Sequence, residues 1–272
     1  MTGIDRQQVR SSFHAHAHDY DRHAMVQKRV LARFIGLLPG SDEAISRVLD
    51  IGAGTGALLQ ELSHRYPRAS LYGLDLAYGM GLAARERMAG NSRVAFLTAD
   101  AEELPYAAAS LDLVVSTSTF QWLETFEQAF AEIRRVLRPG GRFCFALFGE
   151  KTLHELRTAY RTAARGMSDG TGDRTHRFKA VDDVAVALRV VGLEPAYLAS
   201  EFEVELHPDV AHLLRSIRRI GAGNAVKASG RGLAERRIML EMMDIYQREY
   251  GSGETIPATY EVIYGVVRKS SG

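Results

Sequence analysis

The sequence predicts an α/β fold in which helices cover both faces of a seven-stranded, mostly parallel sheet. One observation is the regular alternation of short apolar runs with helical patterns, which is typical of parallel sheets. Another is a glycine-rich turn at residues 52–56, directly after the first apolar run. Strands are predicted at residues 47–51, 70–75, 93–98, 111–117, 142–148, 196–206 and 260–267. Helical patterns lie between them, most clearly at residues 57–62, 127–137, 152–165 and 181–191.

Length and composition limit the class of protein. The 272 residues carry a formal net charge of +1, and they suit one large domain or one domain with an insertion. No stretch is apolar enough to span a membrane, and the polar, histidine-rich N-terminus is unlike a signal peptide. The single cysteine, Cys144, lies in a predicted buried strand and excludes an intrachain disulfide. We therefore expect a cytoplasmic protein that does not bind membranes.

Two segments fall outside the alternating plan. We expect residues 1–22 to form an N-terminal arm and residues 23–272 to form the main domain. That domain begins with an amphipathic helix and carries a helical insertion at about residues 208–250. Because segments attached at the carboxyl edge of a parallel sheet lie beside its ligand crevice, both are predicted to act as lids.

The turn after the first strand predicts a nucleoside site. Residues 48–56 read Val-Leu-Asp-Ile-Gly-Ala-Gly-Thr-Gly, and such glycines permit a sharp turn and close approach of a ligand. A tight turn without a ligand is the alternative for the loop alone. Asp75 ends the second strand, nineteen residues after Gly56. In a βαβ unit a carboxylate at this position can bind two ribose hydroxyls.

The spacing of the glycines distinguishes between classes of nucleoside. Dinucleotide sites prefer G-x-G-x-x-G, whereas this chain has G-x-G-x-G and an acid, Asp50, that disfavours a pyrophosphate. The motif resembles that of Rossmann-like, class I methyltransferases that use S-adenosyl-L-methionine. This resemblance implies S-adenosyl-L-methionine as cofactor and S-adenosyl-L-homocysteine as product. The implied contacts from this region are Asp50, Gly52, Gly54, Gly56, Asp75 and Leu76.

More cofactor contacts are predicted where the third and fourth strands end. Asp100 is expected to accept a hydrogen bond from the adenine amino group, and the Ala101 N–H to donate to the ring. A helix cap is the alternative role for Asp100. Ser116 is expected to lie where the donor methyl emerges. Trp122 is expected to form an aromatic wall against the sulfonium, with a place in the core as its alternative.

The arm contains alternating histidines, His14, His16 and His18, which invite comparison with a metal site. Alternate residues share a face only on a strand, and the surrounding residues do not form one convincingly. No second cluster of ligands follows in the sequence. We therefore expect a polar arm and no metal.

A basic segment covers residues 212–237. It holds seven basic residues and one acid, about +6, in a chain whose net charge is +1. A solvated helix face is one interpretation. We favour a docking surface for an acidic partner or an anionic substrate, with Arg215, Arg218 and Arg219 as contacts. Nucleic acid is not expected, because no aromatic residues alternate with the basic ones.

Several motifs outside the glycine loop are shared with one family. They are Phe13 to Asp21 with Gln27, Leu104-Pro105, Phe120-Gln121-Trp122-Leu123, the stretch 148–156 (FGEKTLHEL) and the stretch 214–222 (LRSIRRIGA). Together they resemble the carboxyl methyltransferases of biotin synthesis that act on malonyl-[acyl-carrier protein]. The resemblance spans residues 13 to about 267.

That resemblance implies methyl transfer to the free carboxylate of a malonyl thioester on acyl carrier protein or coenzyme A. The methyl ester would serve the pimeloyl precursor of biotin. Tyr20 would be the catalytic residue near the transferred methyl, and basic lid residues would meet the acyl chain or its carrier. One departure is a pair of glycines, Gly79 and Gly81, which weaken the helix predicted after the second strand.

Two other functions are also compatible with the sequence. One is another methyltransferase acting on a quinone precursor or an amine, which would keep Asp75 and Asp100 without needing a basic lid. The other is a non-catalytic protein that binds S-adenosylmethionine and serves as an assembly partner.

Overall fold

The computed structural model describes residues 5–41, 43–166, 176–222 and 233–270. Its strands are β1 Arg47–Ile51, β2 Ser70–Asp75, β3 Val94–Thr98, β4 Leu111–Thr117, β5 Leu137–Phe148, β6 Glu194–His207 and β7 Ile256–Arg268. They form one seven-stranded sheet in the order β3-β2-β1-β4-β5-β7-β6. β7 runs antiparallel to both of its neighbours, β5 and β6, whereas the pairs among β1 to β5 are all parallel. The predicted α/β fold with a mostly parallel sheet is confirmed.

Helices flank this sheet on both faces. Those before β4 are α1 Arg6–His16, α2 Tyr20–His23, α3 Met25–Ile35, α4 Ala57–Arg65 and α5 Tyr78–Arg87. Those after it are α6 Glu127–Val136, α7 His154–Arg165, α8 Val181–Val190, α9 Val210–Arg219 and α10 Leu233–Tyr250. Within the described residues, no helix is both long and apolar enough to cross a membrane.

Successive side chains of each strand enter separate cores because strand side chains alternate between the two faces. Val48 packs in a cluster with residues of α3, α4, α7, α9 and α10. Leu49 packs on the other face with residues of α6 and α8. Cys144 is buried in the first cluster, as predicted, and burial raises the pKa of its thiol to about 12.

The arm is helical rather than irregular, and its position explains the first of the two unexpected glycines. The backbone N–H of Gly79, in α5, donates to His14 Nδ1 of α1 over 2.9 Å. A Cβ on Gly79 would lie 2.8 Å from the His14 carbonyl oxygen. Glycine at this position therefore allows α1 to pack directly against α5, and the imidazole serves as a hydrogen-bond acceptor.

Two other segments differ in detail from expectation. The fifth strand was predicted to begin at residue 142, but β5 begins at Leu137, and its pairing register with β4 shifts between Leu111 and Leu113. The insertion expected at about 208–250 contains α9 and α10. Between these two helices, residues 223–232 lie outside the described residues.

Candidate active site

A cavity of about 810 Å³ lies at the carboxyl ends of the parallel strands, where α/β folds bind their ligands. We call it the cofactor cavity. The arm covers it, contributing residues of α1 and Tyr20 of α2. Of the predicted site residues, its wall contains Tyr20, Gly52, Gly54, Asp75, Leu76, Asp100, Ala101 and Trp122.

The glycine loop is held against the end of β2. Gly52 has a φ of 72°, and a Cβ there would overlap the side chain of Thr119. The Asp75 carboxylate accepts from the Gly54 N–H over 2.9 Å and from the Ala77 N–H over 2.8 Å. These bonds fix the carboxylate at the cavity wall. Burial raises the pKa of Asp75, although the two backbone donors oppose that change.

Three predicted cofactor residues lie outside the cavity wall. Gly56 is the N-cap of α4, with a φ of 81°. Ser116 is fully buried, and its hydroxyl donates to the Ile51 carbonyl over 2.8 Å, joining β4 to β1. That hydroxyl is therefore engaged within the sheet, whereas Ser118 lies at the cavity.

Asp50 is the third of these residues, and it is only 1% exposed. Neither carboxylate oxygen has a hydrogen-bond partner in the described part of the chain. Burial, and then the charge of Asp75, raises the pKa of Asp50 well above its usual range. Asp50 is thus an unsatisfied acid beside the loop, rather than part of the cavity wall.

Ion pairs fasten the arm at two places around the cofactor cavity. Arg6 Nη2 lies 2.6 Å from both carboxylate oxygens of Asp100, and Arg6 Nη1 donates to Glu102. The Asp100 carboxylate also accepts from the Glu102 N–H over 3.0 Å, but a turn rather than a helix follows it, so this bond is not the helix cap considered as its alternative. Farther along the arm, Asp21 pairs with Arg87 and accepts from the Thr55 hydroxyl over 2.8 Å. Sequence reasoning missed these contacts because their partners lie far apart in the chain.

A second cavity, of about 480 Å³, adjoins the first, and we call it the acceptor cavity. The two cavities share Phe13, Tyr20, Ser118 and Trp122. None of the described residues that line the acceptor cavity is charged. The rest of its wall is formed by Gln27, Gln121, Phe148, Thr152, Leu153, Phe178, Ile217, Ile220, Ala222 and Tyr260.

The motifs that carried the family resemblance therefore converge on this cavity. The stretch 148–156 supplies three wall residues, and the stretch 214–222 supplies three more. Ser118 and Leu153 have left-handed backbone angles, with φ of 55° and 51°. Such conformations are costly for residues with side chains and are concentrated at functional sites. They provide a structural signal that the sequence did not reveal.

Tyr20 and Trp122 lie where the two cavities meet. The Tyr20 hydroxyl makes no hydrogen bond within the described residues. Burial, followed by the charges of Asp21 and Asp75, raises the pKa of Tyr20, so the phenol stays protonated at neutral pH and can donate. The Trp122 ring packs edge-on against Phe13, with centroids 5.7 Å apart. Trp122 thus belongs to the cavity walls rather than to a closed core.

Helix α9 separates the acceptor cavity from solvent. Its inner side carries Ile217, which lines the cavity. Its outer side carries Arg215, Arg218 and Arg219, which are exposed and form no ion pair with any described residue. Of the other predicted basic residues, Arg236 and Arg237 are exposed on α10, and Lys227 and Arg231 lie outside the described residues.

Comparisons with known proteins agree with this geometry. A family model described as a methyltransferase domain matches residues 49–145, from the glycine loop to β5. The malonyl-[acyl-carrier protein] O-methyltransferase of Geobacter sulfurreducens is 50% identical, covering 98% of this chain and 100% of the relative. The enzyme of the same name from a Methylovorus species is 39% identical, covering 96% and 88%.

Among solved structures, the YcgJ protein of Bacillus subtilis has the same fold, with a TM-score of 0.62 and 19% identity. That likeness covers 90% of this chain and 100% of the other. The two relatives found by sequence are more informative, because their similarity extends over nearly the whole chain. It therefore covers both the glycine loop and the segments that enclose the acceptor cavity. The chain therefore belongs to the malonyl-[acyl-carrier protein] O-methyltransferase family, within the class I methyltransferases that depend on S-adenosylmethionine.

Proposed function

We propose that this protein transfers a methyl group from S-adenosyl-L-methionine to the free carboxylate of a malonyl thioester carried on acyl carrier protein. The products are S-adenosyl-L-homocysteine and the methyl ester used to build the pimeloyl precursor of biotin. The observation that carries the proposal is the junction of the two cavities at Tyr20, Ser118 and Trp122. One cavity has the loop and acids of a nucleoside site, and the other is enclosed by family-specific segments.

The cofactor cavity fits S-adenosyl-L-methionine by its chemistry. The glycine loop leaves room for the amino-acid portion, and the fixed Asp75 carboxylate is available to the ribose hydroxyls. Leu76 and Ala101 offer apolar surface to the adenine. Asp100 keeps capacity for the adenine amino group, because a carboxylate has about four acceptor positions and only some are occupied. When bound, the cofactor supplies a methyl group that leaves sulfur as a carboxylate oxygen bonds to it.

The acceptor side needs no general base. A malonyl carboxylate is already ionised at neutral pH, so the nucleophile requires no deprotonation. The hydroxyl of Tyr20 and the polar side chains of Gln27 and Ser118 can orient it by hydrogen bonds. A cation in close contact would hold the attacking oxygen too strongly in the ground state. Because the described residues of the wall carry no charge, they favour a carboxylate that is positioned but still reactive.

The aromatic residues where the two cavities meet also favour the loss of charge that accompanies methyl transfer. An anionic carboxylate and a cationic sulfonium become two neutral groups, so charge is lost as the reaction proceeds. Phe13 and Trp122 exclude water from the junction, where low polarity favours this neutralisation. Trp122 also offers a ring face to the sulfonium before transfer.

The outer side of α9 suits an acidic carrier protein. Arg215, Arg218 and Arg219 are exposed on the same helix that lines the acceptor cavity with Ile217. A carrier docked on this side would present its acyl group next to the cavity. Complementary charge would speed encounter and select the carrier, with a marked dependence on salt.

The experiment that tests this function measures initial rates of transfer from labelled S-adenosyl-L-methionine. Malonyl carrier protein, malonyl coenzyme A and acetyl carrier protein are compared side by side. We expect transfer to both malonyl thioesters, with the higher kcat/KM for the carrier, and none to the acetyl thioester because it lacks the carboxylate. Equal transfer to the acetyl thioester, or transfer to neither malonyl compound, would contradict the proposal.

A further inference from the structure

We infer that a basic cleft on the outer side of the lid binds the phosphate of the pantetheine arm that carries the malonyl group. The inference rests on the proposed function, because it supposes a thioester in the acceptor cavity. The cleft measures about 430 Å³, and we call it the phosphate cleft. Its wall includes Arg22, Glu205, His212, Arg215, Ser216 and Arg219.

The phosphate cleft and the acceptor cavity lie on opposite sides of the same two helices. On α9, Ile217 lines the acceptor cavity, whereas Arg215 and Arg219 line the cleft. On α2 the same division separates Tyr20 from Arg22. The two spaces are therefore about one helix diameter apart, roughly 10 Å.

This arrangement suits a long, flexible arm with a thioester at one end and a phosphate at the other. The acyl group must reach the junction of the two cavities, so the rest of the arm must leave over the lid. A carrier protein and coenzyme A share the same pantetheine phosphate at the far end. A cationic cleft one helix away from the acceptor cavity is where that phosphate can be held.

The charge of the cleft matches a phosphate ester. Three arginines and one acid, Glu205, line the cleft, so its formal charge is about +2 when the histidines are neutral. Arg215 and Arg219 form no ion pair with any described residue. Among the described residues Arg22 pairs with Asp19 alone, over 3.5 Å at an exposed position, and such pairs are weak. The guanidinium groups therefore remain available for a phosphate.

The chemistry of the side chains points the same way. Arginine binds phosphate oxygens through paired N–H donors, which gives orientation as well as charge attraction. The hydroxyl of Ser216 adds a neutral donor between Arg215 and Arg219. Glu205 lies on the same wall, but its single negative charge still leaves an excess of about two positive charges from the three arginines.

Arg218 provides a matched control. It lies on the same helix between the two cleft arginines in sequence and is exposed, but it is not part of the cleft wall. If α9 only contacted the carrier surface, replacing any of the three arginines should affect the carrier-bound substrate in the same manner. Phosphate binding in the cleft requires Arg215 and Arg219 to behave differently from Arg218.

The test compares two inhibitors of methyl transfer to malonyl carrier protein: 4′-phosphopantetheine and unphosphorylated pantetheine. We expect the wild-type protein to bind the phosphorylated compound at least about tenfold more tightly, as a charge-assisted contact implies. The double variant Arg215→Gln with Arg219→Gln should reduce this ratio to about one. Arg218→Gln should keep the ratio, while raising KM for the carrier-bound substrate.

The outcomes separate this inference from the proposed function. A wild-type ratio near one, or a ratio unchanged in the double variant, overturns the phosphate cleft even if malonyl carrier protein is methylated. If the double variant only raises KM for the carrier, carboxylates of the carrier occupy the cleft, and the inference is wrong. Failure to methylate any malonyl thioester overturns the proposed function instead. Calorimetry of the two compounds on the full chain then measures the same ratio without turnover.

A second comparison uses malonyl coenzyme A, which carries the same phosphate but no carrier surface. The double variant should lower kcat/KM for both malonyl coenzyme A and malonyl carrier protein. Arg218→Gln should lower it for the carrier alone. Equal effects of the two variants on both substrates would contradict a distinct phosphate cleft.

Discussion

Arg6 and Asp100 are joined by a single guanidinium nitrogen that lies 2.6 Å from both carboxylate oxygens. This contact ties the first helix of the arm to the residue that follows β3, at the wall of the cofactor cavity. The arm is therefore closed over the cavity through a residue that we propose binds adenine. Entry and exit of the cofactor should depend on how readily this contact opens.

Replacing Arg6 by Gln should make S-adenosyl-L-methionine dissociate about two- to fivefold faster. The expected effect is modest because the pair is about one-third exposed, and such pairs contribute no more than about 1 kcal/mol. Trp122 is the only tryptophan and lines both cavities, so its fluorescence in stopped-flow experiments measures the rate directly. Arg22→Gln, which breaks the exposed pair with Asp19 and lies outside the wall of the cofactor cavity, is the control. An unchanged rate in the Arg6 variant would show that the arm opens elsewhere.

The two glycines of α5 should respond in opposite ways to alanine. Gly79→Ala should displace α1, because the new Cβ would meet His14 at 2.8 Å, and should weaken cofactor binding measured by calorimetry. Gly81→Ala meets nothing within 4 Å and should raise the free energy of unfolding by up to about 1 kcal/mol through helix propensity. If both variants bind the cofactor equally well, contact between α1 and α5 does not contribute to the site.

Asp50 should make the protein less stable as pH rises. Its folded pKa is raised, first by burial and then by Asp75, so the unfolded chain releases this proton at lower pH than the folded one. The associated stability is present below the ordinary pKa of about 4 and is lost as pH rises through the folded pKa. Asp50→Asn should remove a slope of up to about 1.4 kcal/mol per pH unit in this range, measured by urea unfolding at several pH values.

Asp112 provides a contrast of opposite sign. Burial tends to raise its pKa, but hydrogen bonds from Ser46 and Arg47 lower the pKa on balance. Its contribution is present above the ordinary pKa and is lost as pH falls through the folded one. Asp112→Asn should therefore flatten the acid side of the stability profile.

The prediction for Asp50 has its own contrary outcome. If the free energy of unfolding depends on pH in the same way for the wild type and for Asp50→Asn, the pKa of Asp50 is not raised in the folded protein.

Tyr20→Phe should lower turnover more than cofactor binding. Loss of one hydrogen bond to a charged group is worth about tenfold in kcat/KM for the malonyl thioester, whereas the Kd of S-adenosyl-L-methionine should change little. Tyr246→Phe is the matched control, because its hydroxyl donates to the Pro257 carbonyl over 2.7 Å and lines neither cavity. Equal loss of turnover in both variants would indicate a general loss of stability rather than a role for Tyr20 at the acceptor.

The sequence predicted the elements whose signals are local. The strand bounds 47–51, 70–75 and 111–117 agree with β1, β2 and β4, because each is an apolar run ended by turn residues. The glycine loop and Asp75 could be placed together because βαβ geometry brings the ends of adjacent parallel strands side by side. The basic character of the segment that contains α9 followed from the excess of basic over acidic residues at 212–237.

What the sequence did not predict depends on contacts between distant residues. The ion pair between Arg6 and Asp100 joins segments more than ninety residues apart, and no local sequence pattern predicts it. Ser116 lies within β4 with its side chain engaged in the sheet, whereas Ser118 follows the strand in a left-handed conformation and lines the cavities, and this difference cannot be read from residue type. The helix α1 of the arm was not predicted either, although it has a local signal, because Asp5 caps it by accepting a hydrogen bond from the Gln8 N–H over 3.0 Å.

The most direct test of the account is the intact mass of malonyl carrier protein after incubation with the enzyme and S-adenosyl-L-methionine. We predict a gain of one methyl group, located by fragmentation on the free carboxylate of the malonyl group and removed by mild base as expected for an ester. No gain in mass, or equal methylation of a quinone or an amine in a parallel reaction, would contradict the account.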